Sequence, residues 1–393
     1  MSRSIEVLLF ALSLTTSCAQ DAQVWFGGPF RVGTTPIDKL PEVSGLVASV
    51  QTPGLLWMHN DSGDEPRIYG ISPQGRIITE VVLQGATHMD WEDIARGPGP
   101  VQGASYLYIA DIGDNSARRS AITIYRIREP QIDTSIRAAR LTIAADSVES
   151  FTLRYPDGAR DAEAMIVDPR SGEIVIVTKR EQRCRVYTIA TLPVSTATAT
   201  LEYVRDIPLQ LVTGGDVSSD GSAIVLKTYM HVRMWKRRPG AGLAESITGA
   251  GSPLPYMPER QGEAIGFTSS ADGYYTTSEC ENGGPASAIM FYPSANDETQ
   301  ARQLRDVRLP SIAVSRMVPS GTKYRVRYSM PEVERVSLTV HNAAMFRVMT
   351  LAEDSAESGP QERDFDAAKL PPGSYAVVLE SPSARVSALL EIR

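Results

Sequence analysis

Apolar and polar residues along most of the chain fall into short runs separated by turns rich in glycine, proline, aspartate and serine, with no sustained helical period. The clearest unit is Asp161-Ala-Glu-Ala-Met-Ile-Val-Asp168, followed by a turn ending at Gly172 and the apolar run Ile174-Val-Ile-Val177. An acidic opener, a strand, a glycine-containing turn and a second strand predict a β-hairpin. Related openers are Asp90-Trp-Glu-Asp-Ile94, Gly214-Gly-Asp-Val-Ser218, Gln261-Gly-Glu-Ala-Ile265 and, more loosely, Glu42-Val-Ser-Gly-Leu46. Aligned on their third residues they give Ser44, Glu92, Glu163, Asp216 and Glu263, at intervals of 48, 71, 53 and 47 residues. A β unit repeating at roughly 40–50 residues marks a propeller blade.

The first unit reads as four strands: Gly45 to Ser49, Leu55 to His59, Arg67 to Ile71 and Ile77 to Leu83. The same grammar recurs to Leu309, with a loose insertion from Gln131 to Asp146 that accounts for the one long interval. The expected fold is therefore all-β, a five-bladed propeller over 23–310. It becomes six-bladed if Val24-Trp-Phe26 and the insertion hide another blade. After Pro310 the repeat stops, and alternating runs such as Tyr324 to Tyr328, Arg335 to Val340, Phe346 to Met349, Tyr375 to Leu379 and Val386 to Ile392 predict a small Ig-like β-sandwich over 316–393.

Bulk composition narrows the partners. Charged residues make up 22% of the chain and the formal charge is −7, and no basic patch interleaved with aromatics appears, which argues against nucleic acid. Residues 1–19 read as an export signal, with Arg3 ahead of the apolar stretch Val7 to Leu14, which is too short to span a bilayer. Ser17-Cys18 fits a lipobox with Cys18 lipidated, and Ser17-Cys-Ala19 equally fits ordinary cleavage. Both place the mature protein outside the cytoplasm, with membrane contact only through a lipid on Cys18. Cys184 and Cys280 read as small hydrophobes, and no zinc spacing exists.

The first strand of each propeller blade lines the central channel, so equivalent residues converge on one axis. Glu92, Glu163, Asp216 and Glu263, with Ser44, are expected to form a carboxylate ring. A second layer follows from the ends of the next strands: Asn60-Asp61, Asp111, Lys179, Lys227 and Glu279. Crowded carboxylates need compensation. A divalent cation, calcium by its taste for oxygen ligands, would supply it, with Glu92, Glu163, Asp216, Glu263, Asp61 and Asp111 as candidate ligands. Ion pairs from Lys179, Arg180 and Lys227, or shared protons, would do so too. His59 and His88, near the expected channel mouth, are weak candidates for a general base. Asn60-Asp-Ser-Gly-Asp-Glu65 and Asp111-Ile-Gly-Asp-Asn115 lack EF-hand spacing and read as Asx-rich turns. HExxH, GxSxG and P-loop motifs are absent from the sequence.

Asp90-Trp-Glu-Asp-Ile-Ala95, Ala110-Asp-Ile-Gly-Asp-Asn115, Tyr155-Pro-Asp-Gly158, Val212-Thr-Gly-Gly-Asp216 and Gln261-Gly-Glu-Ala-Ile265 resemble exported bacterial β-propeller proteins over about residues 40–300. That resemblance implies the propeller and supplies no reaction. More distantly, acids converging on a propeller axis look like the gluconolactonase, paraoxonase and phytase-like enzymes, where a channel cation polarises a carbonyl or phosphoryl oxygen. Val340-His-Asn342, Phe346-Arg-Val348 and Leu370-Pro-Pro-Gly-Ser-Tyr375 resemble the Ig-like module of flagellar hook-cap proteins and the sorting domain of type IX secretion substrates. Two functions stay open. One is a binding or scaffold module for a glycan, protein or small molecule. The other is a metal-dependent hydrolase of the lactonase or phosphoesterase type.

Overall fold

A computed structural model describes residues 25–135, 139–193, 198–280, 285–295, 310–318, 321–381 and 385–392. The signal at 1–19, Cys18 and the expected strand from Leu304 to Leu309 lie outside the described residues.

The chain forms a β-propeller. Five sheets stand around an axis, and their innermost strands are Val43–Ala48, Trp91–Gly97, Ala162–Val167, Val212–Val217 and Ala264–Phe267. Each inner strand packs against the next, and the last returns to the first, which closes the ring. Within each sheet the chain runs outward by antiparallel hairpins, as in Ala162–Val167, Ile174–Thr178, Arg185–Ile189 and Glu202–Asp206. Inner and second strands are buried on both faces, which explains their near-continuous apolar runs. Facing sheets share cores, for example Ala164, Ile166 and Val177 against Leu226 and Trp235. Each such fully buried large side chain contributes roughly 1.5–3 kcal/mol.

The two stretches suspected of hiding another blade have other places. Trp25–Phe26 and Phe30–Thr34 both pair with Ala288–Ala295, so the N-terminal strands complete the fifth sheet. Within the insertion, Ala139–Ile143 pairs in parallel with Ile77–Leu83 as an added outer strand of the first sheet. In the same way Ala199–Thr200 adds a parallel strand to the second sheet, beside Glu149–Arg154.

Beyond the ring, Ser311–Arg316, Lys323–Met330 and Gly359–Asp366 form a three-stranded sheet. It faces a four-stranded sheet of Arg347–Ala356, Glu334–Asn342, Gly373–Glu380 and Arg385–Ile392. Alternation decides which side faces in: Tyr324, Val326, Tyr328 and Met330 are buried against Val336, Leu338 and Val340. The sandwich sits on the propeller through an apolar contact of Tyr229 and Met230 with Met345, Ala376 and Val378.

Candidate cation site in the propeller channel

One backbone device places the ring residues. Pairing between the first and second strands slips at Ser44, Glu92, Glu163 and Thr213, in the first four blades respectively. A bulge leaves one residue out of the ladder and re-aims its side chain, so these positions are equivalent. Glu263, directly before Ala264–Phe267, occupies the corresponding place in the fifth blade.

The bulges bring Glu92, Glu163 and Glu263 together, with one carboxylate oxygen from each lying within 4.8 Å of the others. All three are buried, at 2%, 2% and 3% exposure. Lys179 Nζ donates to Glu163 Oε1 at 2.6 Å and to Glu263 Oε1 at 3.4 Å, and the Tyr229 hydroxyl donates to Glu263 Oε1 at 3.0 Å. Glu163 Oε2 and Glu263 Oε2 are buried and have no hydrogen-bond partner. A second group, Asp61, Asp90 and Glu92, shares Glu92 and lies in more open surroundings, with Asp61 and Asp90 half-buried. Ser44 Oγ donates to the Glu92 carbonyl at 2.7 Å and lies 3.3 Å from Glu92 Oε2, and Thr213 Oγ1 donates to the Gly262 carbonyl at 3.0 Å.

Electrostatics follow from the crowding. Burial, then the charges of Glu263, Asp90 and Glu163, pushes Asp61 up to about 8. Burial pushes Glu163 up to about 8 against the pull of Lys179. Burial, then Glu263, pushes Glu279 up to about 9, and Glu92 is raised by burial and by Glu163, Asp61 and Glu263. Burial works against the Lys179 ammonium, yet Glu163 and Glu263 outweigh it and hold Lys179 well above its usual range. Among the described residues Lys179 is the one cation that ion-pairs with any of these acids. The charges of Glu163, Glu263 and Glu92 all bear on that one ammonium.

Other expected site residues fall elsewhere. Asp216 is not in the ring: the bulge of its blade is three residues earlier, at Thr213. Its carboxylate accepts the Val217 N–H at 2.8 Å and the Phe267 N–H at 2.7 Å, strapping the fourth inner strand to the fifth. Asp93 does the same work between other blades, accepting from Ile94, Met165 and Gly215 N–H groups. Asp111 is committed to Arg119 at 2.8 Å and stands outside both carboxylate groups. Lys227 is fully buried, but its partner is Glu259 at 3.1 Å rather than Asp216 or Glu263. Arg180 pairs with Asp161 at 2.5 Å.

His59 is sealed against Trp91, its Nδ1 on the Asn60 carbonyl at 2.9 Å, and burial pushes it down to about 4. His88 stacks on Trp91 with its nitrogens facing the carbonyls of Glu65, Asn60 and Asp61. Asp90 and Tyr229 belong to the site although sequence reasoning did not assign them. Asp90 was already legible in the repeated opener, two residues before Glu92. Gly113 is a further unassigned member: a Cβ there would collide with Glu92 Oε1 and the Asp90 carboxylate, so the acids close over bare backbone.

No family model matches the sequence, and no curated protein matches it either. In structure the chain is similar to Kuenenia stuttgartiensis hydrazine synthase, at 11% identity over 66% of this chain and 97% of that one, with a TM-score of 0.35. It is similar to the Dos1 propeller at 12% identity, over 64% and 68% of the two chains, with a TM-score of 0.30. The holo pyranose dehydrogenase PQQ domain from Coprinopsis cinerea shares 9% identity over 70% and 97%, with a TM-score of 0.38. The propeller assignment itself rests on the closed ring of sheets.

Proposed function

We propose that this protein is an exported binding module whose channel holds one divalent cation, calcium by preference, on Glu92, Glu163 and Glu263. The observation that carries this is the pair of buried, unpartnered oxygens, Glu163 Oε2 and Glu263 Oε2. A buried carboxylate oxygen without a partner is costly, and Lys179 reaches only the other oxygen of each group. The donor set fits a hard cation. Calcium binds oxygens at roughly 2.3–2.6 Å, so two oxygens on one ion lie no more than about 5 Å apart, and the three acids fall within that reach of one another. Open coordination positions would then face oxygen donors of a glycan, protein or small molecule. The hydrolase alternative asks for a base beside the cation: both nitrogens of His88 face backbone carbonyls, and His59, whose Nε2 is unpartnered, is sealed in the core against Trp91.

Glu92→Gln is the informative variant, because it removes a ligand and leaves the Lys179–Glu163 pair intact. Calcium at a hundred times its dissociation constant should stabilise the wild type by about 2.7 kcal/mol. The same addition should leave Glu92→Gln nearly unmoved. Melting curves in calcium and in chelator measure both, and a wild type indifferent to calcium would end this reading.

Export is part of the proposal, on the strength of residues 1–19. With Cys18 lipidated, Cys18→Ser should move the protein from the membrane fraction to the soluble one. A mature N-terminus still beginning at Met1 would remove the export reading altogether.

A further inference from the structure

Away from the channel, the sandwich and the third and fourth blades leave a cleft of about 400 Å³ between them. Arg183, Gln210, His231 and Arg233 line its propeller side, and Ser374 and Glu391 its sandwich side. Two arginines stand at this cleft, Arg233 partly buried and Arg183 exposed. Arg233 Nε is buried without any hydrogen-bond partner, and neither Arg233 nor Arg183 forms an ion pair among the described residues. In this they differ from Arg126 and Arg325, which are paired with Glu149 and Asp364. A buried guanidinium N–H without an acceptor is costly, and Arg233 belongs to the lining of this cleft. The only carboxylate lining the cleft, Glu391, is exposed, and one of its oxygens takes the Ser374 hydroxyl at 2.7 Å.

We propose that this cleft binds a small oxyanion-bearing ligand, a phosphate or carboxylate compound, through Arg183 and Arg233. Guanidinium groups present paired donors that match such anions. The volume suits a metabolite-sized ligand rather than a bare ion, since small-molecule sites run from roughly 300 to 1,000 Å³. Gln210 supplies a neutral amide donor. His231, pushed down to about 4 by burial and by Arg233, adds no charge near neutral pH and is free to donate from one nitrogen. A ligand seated there touches both the propeller and the sandwich, next to the apolar contact of Met230 with Ala376 and Val378. Ligand occupancy would therefore brace the two units against each other. None of this depends on the channel cation.

The test is calorimetric titration of the full chain with inorganic phosphate and with citrate, in metal-depleted chloride buffer at fixed ionic strength. Saturable binding of at least one of them near one equivalent per chain is expected, and the preferred anion identifies the ligand as phosphate- or carboxylate-bearing. Arg233→Gln and Arg183→Gln should each weaken that binding at least tenfold. Ser374→Tyr fills the cleft from the sandwich side without touching either arginine. It should abolish binding while the melting temperature stays within a few degrees, which guards against an arginine variant that fails to fold. Two results would overturn the proposal. One is that neither anion saturates. The other is that a folded Arg233→Gln protein binds as the wild type does.

Discussion

Replacing Lys179 with methionine should lower stability by about 3–5 kcal/mol in metal-depleted buffer, the usual consequence of removing one side of a buried ion pair. Lys179 Nζ sits 2.6 Å from Glu163, 3.4 Å from Glu263 and 5.3 Å from the Tyr229 ring centroid, with its side chain 6% exposed. Without it, Glu163 and Glu263 are left with no cationic partner among the described residues. Calcium should restore much of the loss, because the vacated charge is the one a divalent ion replaces. Denaturant titrations of wild type and Lys179→Met, each with calcium and with chelator, provide the measurement. A variant as stable as the wild type in chelator would mean that the acids are already neutral by protonation. A variant that calcium cannot rescue would count against cation binding by Glu92, Glu163 and Glu263.

In chelator, stability should fall steeply as pH rises from 6.5 to 8. Asp61 and Glu163 have folded values near 8 and Glu279 near 9, all far above an unfolded carboxylate. Over this window the folded chain retains protons that the unfolded chain has already released. Each such group therefore contributes stability that is full at low pH and lost as pH passes through its folded value. The slope is about 1.4 kcal/mol per pH unit for each proton retained. The acids are coupled, so the descent belongs to the set rather than to one residue. The lower bound of the window matters. His59 and His231, both pushed down to about 4 by burial, lose stability as pH falls below their ordinary value of 6.5. Saturating calcium should flatten most of the descent by holding the carboxylates ionised. Asp216, raised to about 7 by burial and bonded only to backbone N–H groups, should leave a residual slope that calcium does not remove. Equal slopes with and without calcium would separate the proton chemistry from any cation.

Most strands were legible because they are buried on both faces or alternate cleanly, and burial writes that pattern into the sequence. The strands that escaped notice bury little or carry charge. Gly359–Asp366 offers Phe365 alone as a large apolar residue and is held by cross-strand pairs such as Arg325 with Asp364 and Arg327 with Glu362. Val232–Lys236 mixes arginine and lysine with its apolar residues, and Phe30–Thr34 is broken by Arg31 and Gly33. At the channel, the openers located the blades but residue type misled the alignment. Asp216 carries the carboxylate of the fourth opener, whereas position in a channel is set by the bulge, and the fourth bulge carries threonine. Taking Thr213 makes the steps from 163 to 213 and from 213 to 263 equal, a regularity present in the sequence all along. Counter-ion choice was not legible. Lys179 and Lys227 occupy similar strand ends, and only the packing of their neighbours gives Lys227 to Glu259.

The fifth sheet joins Phe30–Thr34 to Ala288–Ala295, and this ties the ring to the order of synthesis. A chain emerging N-terminus first presents Phe30–Thr34 long before Ala288–Ala295 exists. At roughly 5–20 residues per second the wait is on the order of ten to fifty seconds. Meanwhile the early strands have no edge to join, and unpaired edges are templates for other chains. The acids of the axis are also held apart until then, because Glu263 arrives with the last blade. Closure of the ring and assembly of the channel are thus one late event. Phe30–Thr34, translated early, is among the last strands to find its place.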